Sequence, residues 1–160
     1  MNTTPNKDSL DNNSAHLPTI VNLKKNSILC AEGDKEYDLY MITQGKLLVF
    51  ITKGSEIIPL AYLNPPEFLG ELSYFDKRPR SANIIALEDS ILFKVAASEI
   101  EKFFPRWLYQ LSTFMATKVR LLDDVIRTRG LKKRKTTESI SPLSMKEQAH
   151  FYNLIKERKK

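Results

Sequence analysis

Residues 68–82 read FLGELSYFDKRPRSA, and the interpretation of the whole chain starts from this stretch. Gly70 lets backbone N–H groups come close to a ligand, because no Cβ stands in the way. The guanidinium of Arg80 matches a phosphate in two-point geometry, and the hydroxyl of Ser81 adds a donor. The carboxylate of Glu71 suits a sugar hydroxyl or a neighbouring arginine. The stretch therefore predicts a pocket for a phosphate joined to a sugar.

Short apolar segments separated by turn signals flank this stretch on both sides. The predicted strands are 19–23, 27–31, 38–43, 46–52, 57–63, 82–87 and 90–95. Short strands at this spacing predict an antiparallel sandwich or barrel rather than alternating strands and helices. Tyr40, Tyr62 and Phe68 are assigned to the core of this β domain rather than to a base-stacking surface.

After the last strand the pattern becomes helical. Ser98 and Glu101 have the spacing of a capping box, which predicts a short helix. A long helix is predicted over 105–129, where no Gly or Pro follows Pro105. Its apolar residues cover more than one face, so we expect one surface to cover the β domain and another to contact a second copy in a homodimer. A helix that only covers the domain of a monomer is the alternative.

The composition is that of an ordinary soluble globular protein. The chain has 160 residues, of which 42% are hydrophobic and 28% charged, enough for one domain with appended segments. No apolar run is long enough to span a bilayer, and the N-terminal residues do not resemble a signal peptide. The single cysteine, Cys30, excludes an internal disulfide and is predicted to be a buried, unreactive thiol. A cytoplasmic location without membrane contact is expected.

The charge and polarity of the chain divide it into four predicted parts. Residues 1–16 are polar and predict a disordered arm, and 17–130 form the β domain with its long helix. A basic linker, 131–143, leads to a short basic helix over 144–160. Residues 127–160 carry 11 Lys and Arg against 3 Asp and Glu, so the basic excess lies in the tail.

The predicted last helix begins with a second capping box, formed by Ser144 and Glu147. Phe151, Leu154 and Ile155 give this helix a small apolar stripe, which we expect to dock either on the domain itself or on a partner protein. No enzyme, cofactor or metal site is expected, because the two histidines, His16 and His150, lie outside the predicted pocket and lack metal-ligand spacing.

Residues 28–128 resemble the cyclic nucleotide-binding domain shared by catabolite activator proteins and the regulatory subunits of protein kinase A. The motifs that carry the resemblance are, in order, EGD at 32–34, DLY at 38–40, Gly45, FLGEL at 68–72 and PRSA at 79–82. The resemblance implies a mainly β fold with α, in which an antiparallel, jelly-roll-like β-roll precedes a short helix and a long C-terminal dimerisation helix.

The resemblance also implies roles for the residues of the predicted pocket. Contacts to the cyclic phosphate fall on Arg80, Ser81 and Ala82. Contacts to the ribose, with Glu71 accepting from the 2′-hydroxyl, fall on Gly70, Glu71 and Leu72. The long helix of bacterial activators places hydroxyl residues against adenine, and here Leu122 and Asp123 stand in that place as possible base contacts. Pro66 also departs from the family, which usually has a glycine before this segment.

Three functions follow from these patterns. The first is a non-enzymatic sensor of a cyclic mononucleotide, cAMP rather than cGMP, which signals through its long helix and tail to a partner protein. The alternative is a degenerate cyclic nucleotide-binding fold that acts as a protein-interaction scaffold without nucleotide. The second alternative is a nucleic-acid-associated regulator that uses the basic tail. Sequence-specific DNA binding is not expected, because the tail has no room for a second helix of a helix-turn-helix.

Overall fold

The computed structural model describes residues 18–99, 104–129 and 142–158. The strands within these residues are β1 Thr19–Leu23, β2 Ile28–Cys30, β3 Leu39–Gln44, β4 Leu47–Lys53, β5 Glu56–Leu63, β6 Phe68–Leu69, β7 Asn83–Ala86 and β8 Ser90–Val95. The α-helices are α1 Glu71–Asp76, α2 Arg106–Arg129 and α3 Met145–Arg158. All strand pairs are antiparallel, in two four-stranded sheets ordered β1-β8-β3-β6 and β2-β7-β4-β5. The predicted β-roll followed by helices is confirmed.

Strand β4 shows why the second sheet is buried on both faces. Successive side chains of a strand point to opposite faces, and here Leu47 joins the core between the two sheets while Leu48 and Phe50 join a cluster on the other face. All four residues of β7 are buried for the same reason. The second sheet therefore needs a cover on its outer face.

Helix α3 supplies that cover. Phe151 and Ile155 are each 5% exposed, and the ring of Phe151 stacks on Phe50 at a centroid distance of 6.0 Å. At the end of the helix, the guanidinium of Arg158 bonds to the carboxylate of Asp34 at 2.9 Å. Of the two docking sites expected for the tail helix, the domain itself is the one that its apolar stripe contacts in this structure.

The capping box of the tail helix is confirmed. The Ser144 hydroxyl accepts from the N–H of Glu147 at 3.3 Å, and the Glu147 carboxylate accepts from the N–H of Ser144 at 2.9 Å. The first capping box is only partly described: Ser98 lies in a 3₁₀ turn over Ala97–Glu99, and Glu101 falls outside the described residues. The predicted arm 1–16 and almost all of the basic linker also lie outside them.

Cys30 belongs to the core between the two sheets. Cys30 is 2% exposed, and burial raises the pKa of its thiol to about 12, so it is the buried, unreactive group that was predicted. Among the described helices, none combines the length and the apolar character needed to cross a membrane.

Candidate functional site

Gly70 joins strand β6 to helix α1 in a conformation that a side chain would block. Its φ of +82° is left-handed, and a Cβ placed there would lie 2.1 Å from Nη1 of Arg80 and 2.8 Å from the carbonyl oxygen of Asp38. The carbonyl of Gly70 accepts from Tyr74 N–H at 2.9 Å, which starts helix α1. Only glycine fits this turn, because the chain turns tightly against the guanidinium of Arg80.

A cavity of about 150 Å³ opens beside this turn. Five of the six residues predicted to contact phosphate or ribose line it: Gly70, Glu71, Leu72, Ser81 and Ala82. Val49, Leu63 and Ile84 of the β-roll form an apolar wall. The cavity therefore has one polar side, suited to a sugar phosphate, and one apolar side, suited to a flatter, less polar group.

Arg80, the sixth predicted residue, does not line the cavity. Its side chain is 3% exposed, and the guanidinium bonds to the carboxylate of Glu36 through Nη2 at 2.8 Å and Nε at 3.3 Å. Nη2 also donates to the Asp38 carbonyl at 2.7 Å, and Nη1 donates to the Gly70 carbonyl at 3.2 Å. Four of the five N–H groups of this arginine therefore have acceptors within the described residues.

The backbone of Arg80 is held as firmly as its side chain. Its N–H donates to the Asp34 carbonyl at 2.9 Å, and its own carbonyl accepts from Gly33 N–H at 2.9 Å. The Asp34 carboxylate closes the same turn by accepting from Ala31 N–H at 2.9 Å. Since Arg158 of the tail helix pairs with this carboxylate, the docked tail contacts the turn that positions Arg80.

Glu71 lies at the polar side of the cavity, where its charge is sensitive to its surroundings. Its side chain remains accessible from the cavity, yet the protein atoms crowded around its carboxyl remove water and raise its pKa above the ordinary value. Its own backbone N–H, Arg80 and Arg120 act in the opposite direction, and Asp123 adds to the increase. Glu71 is thus an acceptor whose charged form is disfavoured by the surrounding protein atoms and favoured by two nearby arginines.

Helix α2 is joined to α1 by a buried ion pair that was not predicted. Arg120 pairs with the carboxylate of Asp76, and the two side chains are 8% and 3% exposed. The same guanidinium donates to the hydroxyl of Ser73 at 3.1 Å and to the carbonyl of Arg78 at 3.4 Å. One side chain of the long helix therefore contacts helix α1, including the cavity-lining Ser73, and the loop that follows α1.

The two possible base contacts lie on different sides of helix α2. Leu122 is 64% exposed and does not line the cavity, whereas Asp123 is half-buried and close enough to Glu71 to affect its pKa.

Phe68 is also placed differently from expectation. Tyr40 is buried in the roll as predicted, but Phe68 is 57% exposed and forms part of the cavity wall. Its assignment to the core was wrong because Leu69, its neighbour on the opposite face of β6, takes the core position.

Four residues that form ion pairs around the site were not predicted from the sequence: Glu36, Asp76, Arg120 and Arg158. Each partner pair is separated by 44 residues or more, and no local pattern links such distant positions. The one available signal was Arg120, a charged residue on an otherwise small and polar face of a long helix that includes Ala116. A charge at the centre of a packed face implies a partner on the opposing element.

The family model of the cyclic nucleotide-binding domain matches residues 20–106, more than half of the chain. The chain belongs to this family. The "Cyclic AMP receptor protein" of Thermus thermophilus is 32% identical over 96 residues, which cover 58% of this chain and 44% of that protein. The "cAMP-activated global transcriptional regulator CRP" of Salmonella typhimurium is 30% identical over 106 residues, covering 62% of this chain and 50% of that one. The chain thus spans about half the length of these curated relatives.

Solved structures are also similar to this chain. The Catabolite Activator Protein of Thermus thermophilus is similar at a TM-score of 0.58 and 25% identity, covering 71% of this chain and 54% of that chain. The EAL enzyme Bd1971 in its cAMP- and cyclic-di-GMP-bound form is similar at a TM-score of 0.59 and 29% identity, covering 69% of this chain and 30% of that one.

Proposed function

We propose that this chain is a non-enzymatic sensor that binds a cyclic mononucleotide, cAMP in preference to cGMP, in the cavity beside Gly70. The observation that carries the proposal is that Gly70, Glu71, Leu72, Ser81 and Ala82 line one cavity. Relatives named for cAMP support the choice of ligand. A cytoplasmic setting is part of the proposal.

The proposed pose assigns each part of the ligand to a different surface. The ribose 2′-hydroxyl donates to Glu71, and the cyclic phosphate contacts the Ser81 hydroxyl, the backbone at Ala82 and the guanidinium of Arg80. The base then lies towards Phe68 and the apolar wall. Asp123, which is close enough to Glu71 to affect its pKa, is the proposed acceptor for an adenine amino group. The pose assigns no catalytic step to any of these residues.

Calorimetry and thermal unfolding with cAMP and cGMP test the proposal. Ligand at about 100 times its dissociation constant should stabilise the chain by about 2.7 kcal/mol, which corresponds to a rise in melting temperature of roughly 5–10 °C. 2′-Deoxy-cAMP should bind about tenfold more weakly, because it lacks the hydroxyl that donates to Glu71. Linear AMP serves as the matched control. No heat and no shift at millimolar cAMP and cGMP would overturn the proposed function.

We also propose that signalling involves a homodimer formed through helix α2. The face opposite Ala116 and Arg120 carries apolar side chains that are 41–66% exposed in the single chain: Trp107, Leu111, Phe114, Leu121 and Val125. These positions follow one another at spacings of four, three, seven and four residues along one side of the helix, which fits the heptad repeat that two helices use to pack together. A second copy of the same helix would remove this surface from water.

Sedimentation equilibrium should therefore show a dimer at micromolar concentration. Phe114→Glu should give a monomer, because it places a charge in the middle of the proposed contact. Thr117→Glu adds the same charge on the exposed flank of the helix and should leave the dimer intact. A wild-type chain that sediments as a monomer at all concentrations would disprove this contact.

The contacts of Arg80 favour a second candidate function. Because Glu36, Asp38 and Gly70 already use four of its N–H groups, the described structure is also that of a roll closed by an internal ion pair. This state fits a protein-interaction scaffold that binds no nucleotide. Such a scaffold would show no ligand-induced shift in the experiment above.

A further inference from the structure

We propose that Glu36 occupies the guanidinium of Arg80 in place of the ligand's phosphate and thereby sets the affinity of the site. This inference rests on the proposed function, since it concerns the same cavity. Both groups are single negative charges that prefer two-point contact with a guanidinium. The Glu36 carboxylate already makes such a contact, at 2.8 and 3.3 Å from Nη2 and Nε.

Arg80 has too few N–H groups to make two-point contacts with the Glu36 carboxylate and the ligand's phosphate at the same time. Within the described residues one N–H of Nη1 has no acceptor, whereas a two-point phosphate contact needs two N–H groups. The carbonyls of Asp38 and Gly70 belong to the backbone that shapes the site, so these bonds are the harder ones to break. The Glu36 side chain is 34% exposed and can move towards water. The bond most readily exchanged is therefore the one to Glu36.

The charges around Arg80 also favour the displacement of Glu36 by an anionic ligand. Lys94 pairs with Asp38 and Arg158 pairs with Asp34, so neither offers a net positive charge to a ligand. Arg80 itself lies near the carboxylates of Glu36 and Glu71. An anionic ligand added to this set meets net repulsion unless Glu36 withdraws.

The Tyr40 hydroxyl determines where Glu36 stands. It donates to the second carboxylate oxygen, Oε1, while Oε2 faces Arg80. The ring of Tyr40 is buried and lies beneath the Arg80 guanidinium at 5.8 Å, so the phenol is a fixed point of the roll. Glu36 is thus held between a rigid hydroxyl and the arginine, in the position of a displaceable internal ligand.

Glu36→Gln tests the inference, since the amide keeps the shape of the side chain and removes its charge. Calorimetry should show cAMP binding on the order of tenfold more tightly than in the wild type, because the competing charge is gone. The ligand-free variant should melt at a lower temperature, because the Arg80 charge loses its counter-ion, and saturating cAMP should raise its melting temperature by more than it does in the wild type. Glu56→Gln, at an exposed carboxylate that begins strand β5, is the matched control and should leave affinity unchanged.

The outcomes separate this inference from the proposed function. Wild-type binding with equal or weaker binding by Glu36→Gln would overturn the inference and leave the function standing. Binding by Glu36→Gln alone would support both. If neither the wild type nor Glu36→Gln binds cAMP, cGMP or inorganic phosphate at millimolar concentration, the inference and the proposed function are both overturned. Should Glu36→Gln fail to fold, Glu36→Asp replaces it: withdrawing the carboxylate by one methylene should tighten cAMP binding severalfold, and unchanged affinity would contradict the inference.

Discussion

Arg120→Met is expected to lower the free energy of unfolding by about 3–5 kcal/mol, among the largest effects of any single change in this chain. The substitution leaves the Asp76 carboxylate, 3% exposed, without its counter-ion between two helices. It also removes the donor to the Ser73 hydroxyl, a further buried polar group. The penalty arises from the desolvated charge that remains rather than from the strength of the pair, so the size of the loss reports how well the pair is buried.

Urea unfolding at one fixed protein concentration measures this loss, since dimer formation would otherwise change the apparent stability. Arg106→Met is the matched control: Arg106 is exposed at the start of the same helix, and its replacement should change stability by less than about 0.5 kcal/mol. Adding Asp76→Leu to Arg120→Met should recover much of the loss, because both charges are then gone. A loss below about 1 kcal/mol for Arg120→Met would mean that water reaches Asp76 when the arginine is removed.

The Arg120 contact also indicates how the cavity and the long helix affect each other. Asp76 and Ser73 belong to α1, whose first residue, Glu71, lines the cavity, and α2 packs on α1 through this guanidinium. The hydroxyl groups of Tyr109 and Thr113 both donate to the Phe75 carbonyl at 3.2 Å, further along the same surface. Movement of α1 on ligand binding would therefore be transmitted to α2 by polar contacts at several points.

The strands could be predicted from the sequence because their signals are local. Short apolar segments bounded by turn signals placed β1 at 19–23 and β8 at 90–95, the bounds that the structure has. Helix α2 was equally clear, because 24 residues without an internal Gly or Pro leave few alternatives. Local signals also predicted which residues of the cavity come together, since Gly70, Glu71 and Ser81 belong to one short segment.

What could not be predicted depends on contacts between distant parts of the chain. Helix α1 has six residues, too few for a periodic pattern to separate it from a loop. The stripe containing Phe151 and Ile155 fits an own-domain contact and a partner contact equally well, and only the uncovered face of the second sheet decides between them. The direction of the Glu36 side chain is set by Arg80 and Tyr40, which no spacing rule connects to it.

Arg80→Lys is the second change with a large expected effect, a loss of cAMP affinity of about a hundredfold. Lysine keeps the positive charge but offers one ammonium in place of the planar fork, so two charge-assisted bonds of about 1.5 kcal/mol each cannot form together. The same loss of two-point contact with Glu36 should lower stability. Calorimetry measures the affinity, and Arg78→Lys, at an exposed side chain two residues away, is the matched control. Affinity within about threefold of the wild type would mean that Arg80 only anchors the roll.

Combining Arg80→Lys with Glu36→Gln separates the two roles of the arginine. If Glu36 acts by occupying the fork of Arg80, removing its charge should tighten cAMP binding about tenfold beside arginine and much less beside lysine. If Glu36 instead repels the ligand through the field of its charge alone, the gain should be the same in both backgrounds. The effect of Glu36→Gln on cAMP affinity is thus measured once beside arginine and once beside lysine. The difference between these two effects is the coupling energy of residues 36 and 80 in ligand binding. A gain that is independent of residue 80 would therefore assign Glu36 a long-range electrostatic role and remove direct competition for the guanidinium.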